Sequence, residues 1–150
     1  MGIMRTLIFG IAVLFTAALA ADLAMIEPNE LAAHLAAKKT NPTIIQVGPN
    51  TLYRQKHIPG AVYAGPASKP EGIDLLKKAV SGLPTNAEII IYCGCCPFAN
   101  CPNVKPAFAQ LQQMGYTNVK VMHVETNFAT DWVNKGYPVV GSLALPSNAK

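Results

Sequence analysis

Charge is the scarcest property of this chain. Only 13% of its 150 residues are Asp, Glu, Lys or Arg, and the formal net charge is +4. The lysines are scattered and form no basic run, so there is no patch on which a nucleic acid would bind. Internal repeats, low-complexity tracts and linkers are also missing, and with 150 residues the chain has room for one domain with a proper core. Apolar residues make up 51% of the sequence, which excludes a disordered tail protein. Cysteine is rare as well, but it is not dispersed. All four, Cys93, Cys95, Cys96 and Cys101, fall within nine residues.

The first twenty residues carry a targeting pattern. Arg5 provides a short positive start, Leu7 to Phe15 is apolar, and Ala18-Leu19-Ala20 fits a small-x-small cleavage site. The apolar run is short for a membrane span, and no Lys or Arg halts it on the far side. We read residues 1–20 as a secretory signal peptide and 21–150 as the mature domain. Loss of Arg5 takes the formal charge from +4 to +3. The expectation is a secreted, periplasmic protein without membrane attachment after cleavage. In an oxidising compartment neighbouring cysteines form disulfides, whereas in the cytosol they point to metal or catalysis. Cys95 and Cys96 are adjacent, so a ring between them is strained. A bridge from Cys101 to either is easier to close.

Along the chain, strands and helices alternate. Leu31, Ala32, Leu35 and Ala36 recur at helical spacing, and Asn41-Pro42 ends that helix. Thr43 to Val47 is a short apolar strand closed by Gly48-Pro49. Lys56-His-Ile-Pro-Gly-Ala61 makes a tight turn into a strand at Val62-Tyr63-Ala64, with His57 read as the anchor of that turn. Ile73, Leu76 and Val80 mark a second helix. Glu88 to Tyr92 is apolar on successive positions, as in a central parallel strand buried on both faces. Asn103 is a good N-cap for the next helix, because Pro106 then falls in the first turn, where a missing N–H costs little. Val119, Val121 and Val124 mark a further strand, and Phe128 to Lys135 a short helix around Trp132. This order predicts an α/β fold with a mainly parallel central sheet flanked by helices.

The cysteines sit where a buried strand gives way to a loop and a helix N-terminus. Backbone N–H groups and the positive helix end favour a thiolate there. With His57-Ile-Pro-Gly-Ala61 upstream, Ile89-Ile-Ile-Tyr-Cys93 at the centre, and Leu111, Gly115-Tyr-Thr-Asn-Val-Lys-Val121, Trp132 and Gly136-Tyr-Pro-Val139 downstream, the chain resembles the rhodanese (sulfurtransferase) family. The likeness runs from about Ile26 to Val140. It implies the rhodanese-like fold and a single nucleophile at Cys93. That thiol would take a sulfane sulfur from a donor such as thiosulfate and pass it, as a persulfide, to a thiol or to cyanide. No organic cofactor is required. The sequence departs from the family in several places. The interval from Cys93 to Gly115 is longer than usual and contains no arginine, leaving Lys105 as the nearby cation. Gln46 replaces an acidic residue, and Gly48 replaces an arginine. Glu125-Thr-Asn-Phe128 stands where Gly-Gly usually precedes the tryptophan.

The binding loop expected for the substrate comprises Gly94, Cys95, Cys96 and Cys101, with Lys105 beside it. Pro97 and Pro102 each delete a backbone donor from this loop and push the preceding cysteine toward extended geometry. Three chemistries remain open. Cys93 carries sulfur while Cys96 and Cys101 form a bracing disulfide, with Cys95 placed to attack a Cys93 persulfide. Alternatively the thiols run a thiol–disulfide relay with a redox partner protein, resolved by Cys95 or Cys96. In the third, Cys93, Cys95, Cys96 and Cys101 hold a soft metal, Cu(I) or Zn(II), with His123. A purely structural pair of disulfides is the remaining account.

Overall fold

The structure is a computed structural model that describes residues 23–141. The signal peptide assigned to residues 1–20 lies outside the described residues. Five short strands, β1 (Met25–Ile26), β2 (Thr43–Gln46), β3 (Val62–Tyr63), β4 (Ile89–Tyr92) and β5 (Val119–Met122), form one sheet in the order β1-β5-β4-β2-β3. Every neighbouring pair is parallel. The connections are the helices α1 (Pro28–Ala37), α2 (Asn50–Gln55), α3 (Pro70–Val80) and α4 (Val104–Gln113). A one-turn 3-10 helix at Phe98–Asn100 and a π-helical turn at Ala129–Val133 complete the order. The expected α/β architecture with a mainly parallel sheet is therefore present.

A parallel sheet covered on both faces needs strands that are apolar at every position. β4 meets that demand, since all four of its residues are buried. Its side chains alternate between two cores. Ile89 and Ile91 pack with Leu76, Val80, Ala107 and Leu111 from α3 and α4, while Ile90 and Tyr92 pack with Leu31, Ile58, Phe128 and Trp132. Trp132 is fully buried, and its Nε1 donates to the Pro138 carbonyl at 2.8 Å. It is the packing anchor that its position suggested. His57 anchors its turn through three contacts. Nδ1 lies 2.7 Å from the Tyr53 carbonyl, the ring stacks on Tyr53, and the backbone bridges to Val140.

Two features differ from the sequence-based expectation. β1 is a two-residue edge strand, too short to leave a periodic signal. α2 is a six-residue helix with no buried side chain, so it has no apolar face to read. α1 closes at a left-handed Lys38 with φ of 50°, just before Asn41-Pro42, as its sequence suggests.

Candidate functional site

Because the strands are parallel, the C-terminal ends of β2, β4 and β5 share one edge, the usual place for a site in an α/β sheet. β2 and β4 run in register with Gln46 opposite Tyr92, and the Val47 N–H donates to the Tyr92 carbonyl at 2.8 Å. The residues that follow, Gly48 and Cys93, are therefore brought face to face. A Cβ on Gly48 would lie 2.7 Å from both the Cys93 Sγ and the Cys93 carbonyl oxygen, so only glycine allows this approach. Gln46, buried beneath, donates from Nε2 to the Cys93 carbonyl at 3.0 Å, and its Oε1 has no partner among the described residues. Gly94 takes a positive φ of 83°, and a Cβ there would meet the Phe128 side chain at 2.7 Å. The Gly94 carbonyl accepts from the Phe128 N–H at 3.0 Å, tying the turn to the segment before the π-helical turn.

Asn103 stands at the start of α4 as expected, but its side chain does not cap the helix. It is 3% exposed and points inward. Oδ1 accepts the Ser68 N–H at 2.9 Å, and Nδ2 donates to the Cys93 Sγ at 3.3 Å. The sequence marks this asparagine as a helix start. Its second role depends on α4 abutting the end of β4, a tertiary fact with no local signature.

Around Cys93 the sulfurs form a cluster. Cys95 Sγ lies 3.2 Å from Cys93 Sγ, and Cys96 Sγ lies 2.9 Å from Cys95 Sγ. The sulfurs of Cys93, Cys95 and Cys101 are all within 4.8 Å of one another. Cys93 and Cys101 are buried, whereas Cys95 reaches solvent. Cys93 gives its S–H hydrogen bond to Cys101, which raises its own pKa above the thiol range, and burial raises it further. The same bond lowers Cys101, despite burial, with the N–H groups of Asn103 and Val104 at the α4 N-terminus adding to the effect. The bond between the two sulfurs thus favours the thiolate at Cys101 over that at Cys93. Burial and the neighbouring sulfurs raise Cys96.

All four cysteines are unbridged, so the expected Cys96–Cys101 disulfide is not formed in this structure. The longer loop is braced by other means. Phe98 N–H donates to the Val124 carbonyl at 2.7 Å, and Cys101 N–H closes on the Phe98 carbonyl at 3.2 Å. Cys101 is extended, as a residue before proline should be. Two expected neighbours are elsewhere. His123 pairs through Nδ1 with Glu27 at 2.9 Å and stays outside the group of sulfurs that approach one another. Lys105 is exposed on the first turn of α4 and does not line the opening next to the cysteines. That opening, about 790 Å³, is bordered by Gly94, Cys95 and Phe128 on one side and by Arg54 and Lys56 on the other. These two cations were missed because they belong to α2 and its end, far from the cysteines in sequence. The signal available was topological, since any segment following β2 emerges at the same sheet edge as the one following β4.

The model of the rhodanese-like domain family matches residues 27–124. The chain belongs to that family. A rhodanese-like domain from Anabaena sp. is similar in structure, with a TM-score of 0.61 and 23% identity over 84% of this chain and 86% of that one. The polysulfide-sulfur transferase of Wolinella succinogenes gives a TM-score of 0.58 and 16% identity, covering 86% of each chain. A protein from Bacillus halodurans gives 0.62 and 21%, covering 80% of this chain and 78% of that one. At these identities the likeness is one of fold. No curated protein matches the chain. Within this rhodanese-like domain the cysteine loop lies at the sheet edge, between β4 and α4. Both β4 and α4 keep the packing described above.

Proposed function

We propose that this protein is a sulfurtransferase whose Cys93 carries sulfur as a persulfide. The observation that carries the reading is the Cys93 thiol itself. It stands at the end of the central strand of a rhodanese-like domain, with the Asn103 amide and the Cys95 N–H directed at its sulfur. Cys101 acts as the base. As Cys93 attacks, its proton passes to the Cys101 thiolate, the arrangement by which an adjacent base activates a nucleophile. The Cys93 sulfur bonds to the sulfane sulfur of thiosulfate, the S–S bond of the donor breaks, and sulfite leaves with the electron pair. An acceptor thiolate, or cyanide, then attacks the outer sulfur of the persulfide. The bond to Cys93 breaks, and Cys93 recovers its proton from Cys101. No net oxidation occurs. The negative persulfide is met by the same N–H donors. Arg54 and Lys56 at the opening suit an anionic donor. No organic cofactor enters the scheme, and the pattern in residues 1–20 supports action in the periplasm.

The test is a mass measurement. Reduced protein is incubated with thiosulfate, and one added sulfur is expected in the wild type and none in Cys93→Ser. An adduct of equal yield in Cys93→Ser would assign the nucleophile elsewhere.

A second reading is favoured by the 3.2 Å approach of Cys95. Its thiolate is placed to attack the inner sulfur of the Cys93 persulfide. That forms a Cys93–Cys95 disulfide and expels hydrosulfide, so the sulfane sulfur is reduced as the two cysteines are oxidised. A thiol reductant, small or protein, would then restore the pair. Hydrosulfide release in step with loss of two free thiols distinguishes this course from transfer to an acceptor.

A further inference from the structure

We propose that Cys93, Cys95 and Cys101 also form a three-sulfur site for a single Cu(I) ion. The site does not depend on the sulfur-transfer reading, since it rests on the spacing and surroundings of the sulfurs alone. Thiolate–metal bonds are about 2.3 Å long, so three sulfurs in a plane around an ion stand about 4 Å apart. The separations here run from 3.2 Å to at most 4.8 Å, a range that contains that value. Small side-chain rotations therefore create the site without rebuilding the loop.

The surroundings select the ion. Beside Cys93, Cys96 and Cys101 lies a crevice walled by Phe98, Val104, Met122 and Val124, too narrow to hold water. Among the described residues, no carboxylate or imidazole joins the group, and His123 is engaged by Glu27. Calcium and magnesium need oxygen ligands. Zinc prefers a fourth protein ligand, and among the described residues no fourth side chain joins the three sulfurs. A soft monovalent ion is content with sulfur alone, and thiolates select Cu(I). The excess negative charge of three thiolates faces the N–H groups at the start of α4 and the Asn103 amide. Cys96 is not part of that group: its sulfur meets Cys95 and Cys101 but does not come close to all three together. Cys95, the solvent-accessible member, provides the route by which an ion is handed in from another thiol. Copper and sulfane sulfur then compete for Cys93, so loading with one excludes the other.

The experiment uses the reduced full chain under anaerobic conditions, with Cu(I) supplied alone and competed by a chromophoric chelator. One Cu(I) per chain is expected. Cys95→Ser and Cys101→Ser should each weaken binding by about tenfold or more, the scale on which metal sites respond to lost support, and Cys96→Ser should weaken it by less. Zn(II) added in excess should not displace the copper. Failure to retain Cu(I) against the chelator overturns the proposal. So does a loss in Cys96→Ser as large as that in Cys95→Ser, or a loss smaller than tenfold in Cys95→Ser, whose position in the exposed loop keeps that variant folded. If Cys101→Ser does not fold, X-ray absorption at the copper edge of the wild type decides. Three sulfur neighbours are expected, and two, or any nitrogen or oxygen neighbour, would refute the assignment.

Discussion

Asn103 is the residue whose alteration tests the site most directly. Its two side-chain bonds serve different ends, one holding the Ser68 backbone and the other the Cys93 sulfur. Asn103→Asp keeps the first, because a carboxylate oxygen still accepts from Ser68. It replaces the second with a negative oxygen about where Nδ2 lay, 3.3 Å from the sulfur. Once Cys93 gives up its proton, two full charges at that distance repel by roughly 5 kcal/mol at an effective dielectric of about 20, an upper limit that proton uptake will relieve. The lost donor to a charged sulfur is worth about 1.5–3 kcal/mol, which corresponds to a rate loss of about 10- to 100-fold. Asn103→Ala removes both bonds and leaves the Ser68 N–H unpaired, at a cost of about 1–3 kcal/mol in stability. The assays are urea unfolding, for stability, and the rate of single-sulfur uptake from thiosulfate read by intact mass. The aspartate variant should be the slower of the two at neutral pH and the more stable. Its defect should shrink as the pH falls, since a protonated carboxyl again offers a donor. Uptake by Asn103→Asp at the wild-type rate would show that the amide has no part in holding the reacting sulfur. Rate losses that merely track the stability losses of both variants would show the same.

Three other outcomes follow from the same contacts. Gly48→Ala puts a methyl group 2.7 Å from the Cys93 sulfur and carbonyl, so it should cost about 1–3 kcal/mol of stability by denaturant titration. It should also slow alkylation of Cys93. Neutralising Arg54 and Lys56 together should raise the KM for thiosulfate more than it lowers kcat, and the remaining activity should lose its dependence on salt. Glu88 accepts from Lys120 at 3.0 Å and from Thr40 at 3.1 Å. Burial pushes its carboxyl up, but these partners and His34 outweigh burial and hold it below the ordinary 4.5. A depressed carboxylate contributes stability above its unfolded value and loses it as the pH falls through the folded one. Glu88→Gln should therefore be about 1 kcal/mol less stable than wild type at pH 7, with the difference vanishing near pH 3, in urea titrations at the two pH values.

The strand-by-strand pattern was legible because the central strands obey a simple rule. Ile89 to Tyr92 must be apolar throughout to be buried on both faces, and its run of β-branched residues gives that signature. Pro106 located the start of α4 for an equally local reason. What escaped was every relation across the sheet edge. Nothing near Arg54 in sequence says that α2 opens onto Cys95, and nothing near Asn103 says that its amide meets a sulfur. Cys101 is the sharpest case. By spacing it suited a bridge to Cys96. In space it lies beside Cys93 under the N-terminus of α4, where the helix favours a thiolate.

Gln46 and Gly48 are best understood together, as one accommodation of the Cys93 backbone and sulfur. In this chain the Cys93 carbonyl and sulfur approach β2 so closely that no side chain fits at position 48. That carbonyl is buried at the strand end and needs a donor, which the Gln46 amide supplies at 3.0 Å and an ionised acidic residue cannot. Two cations that follow β2, Arg54 on α2 and Lys56 just after it, border the opening. On the proposed reading, the Cys93 sulfur is then served by neutral donors, the Asn103 amide and the Cys95 N–H, and by a second thiol. A Gln46→Glu substitution separates this account from simple drift. If the amide is required by the Cys93 carbonyl, the variant should lose about 2 kcal/mol of stability at neutral pH and regain much of it on acidification, as the carboxyl takes up a proton and becomes a donor again. Wild-type stability at neutral pH in Gln46→Glu would mean that the glutamine is tolerated there, not needed.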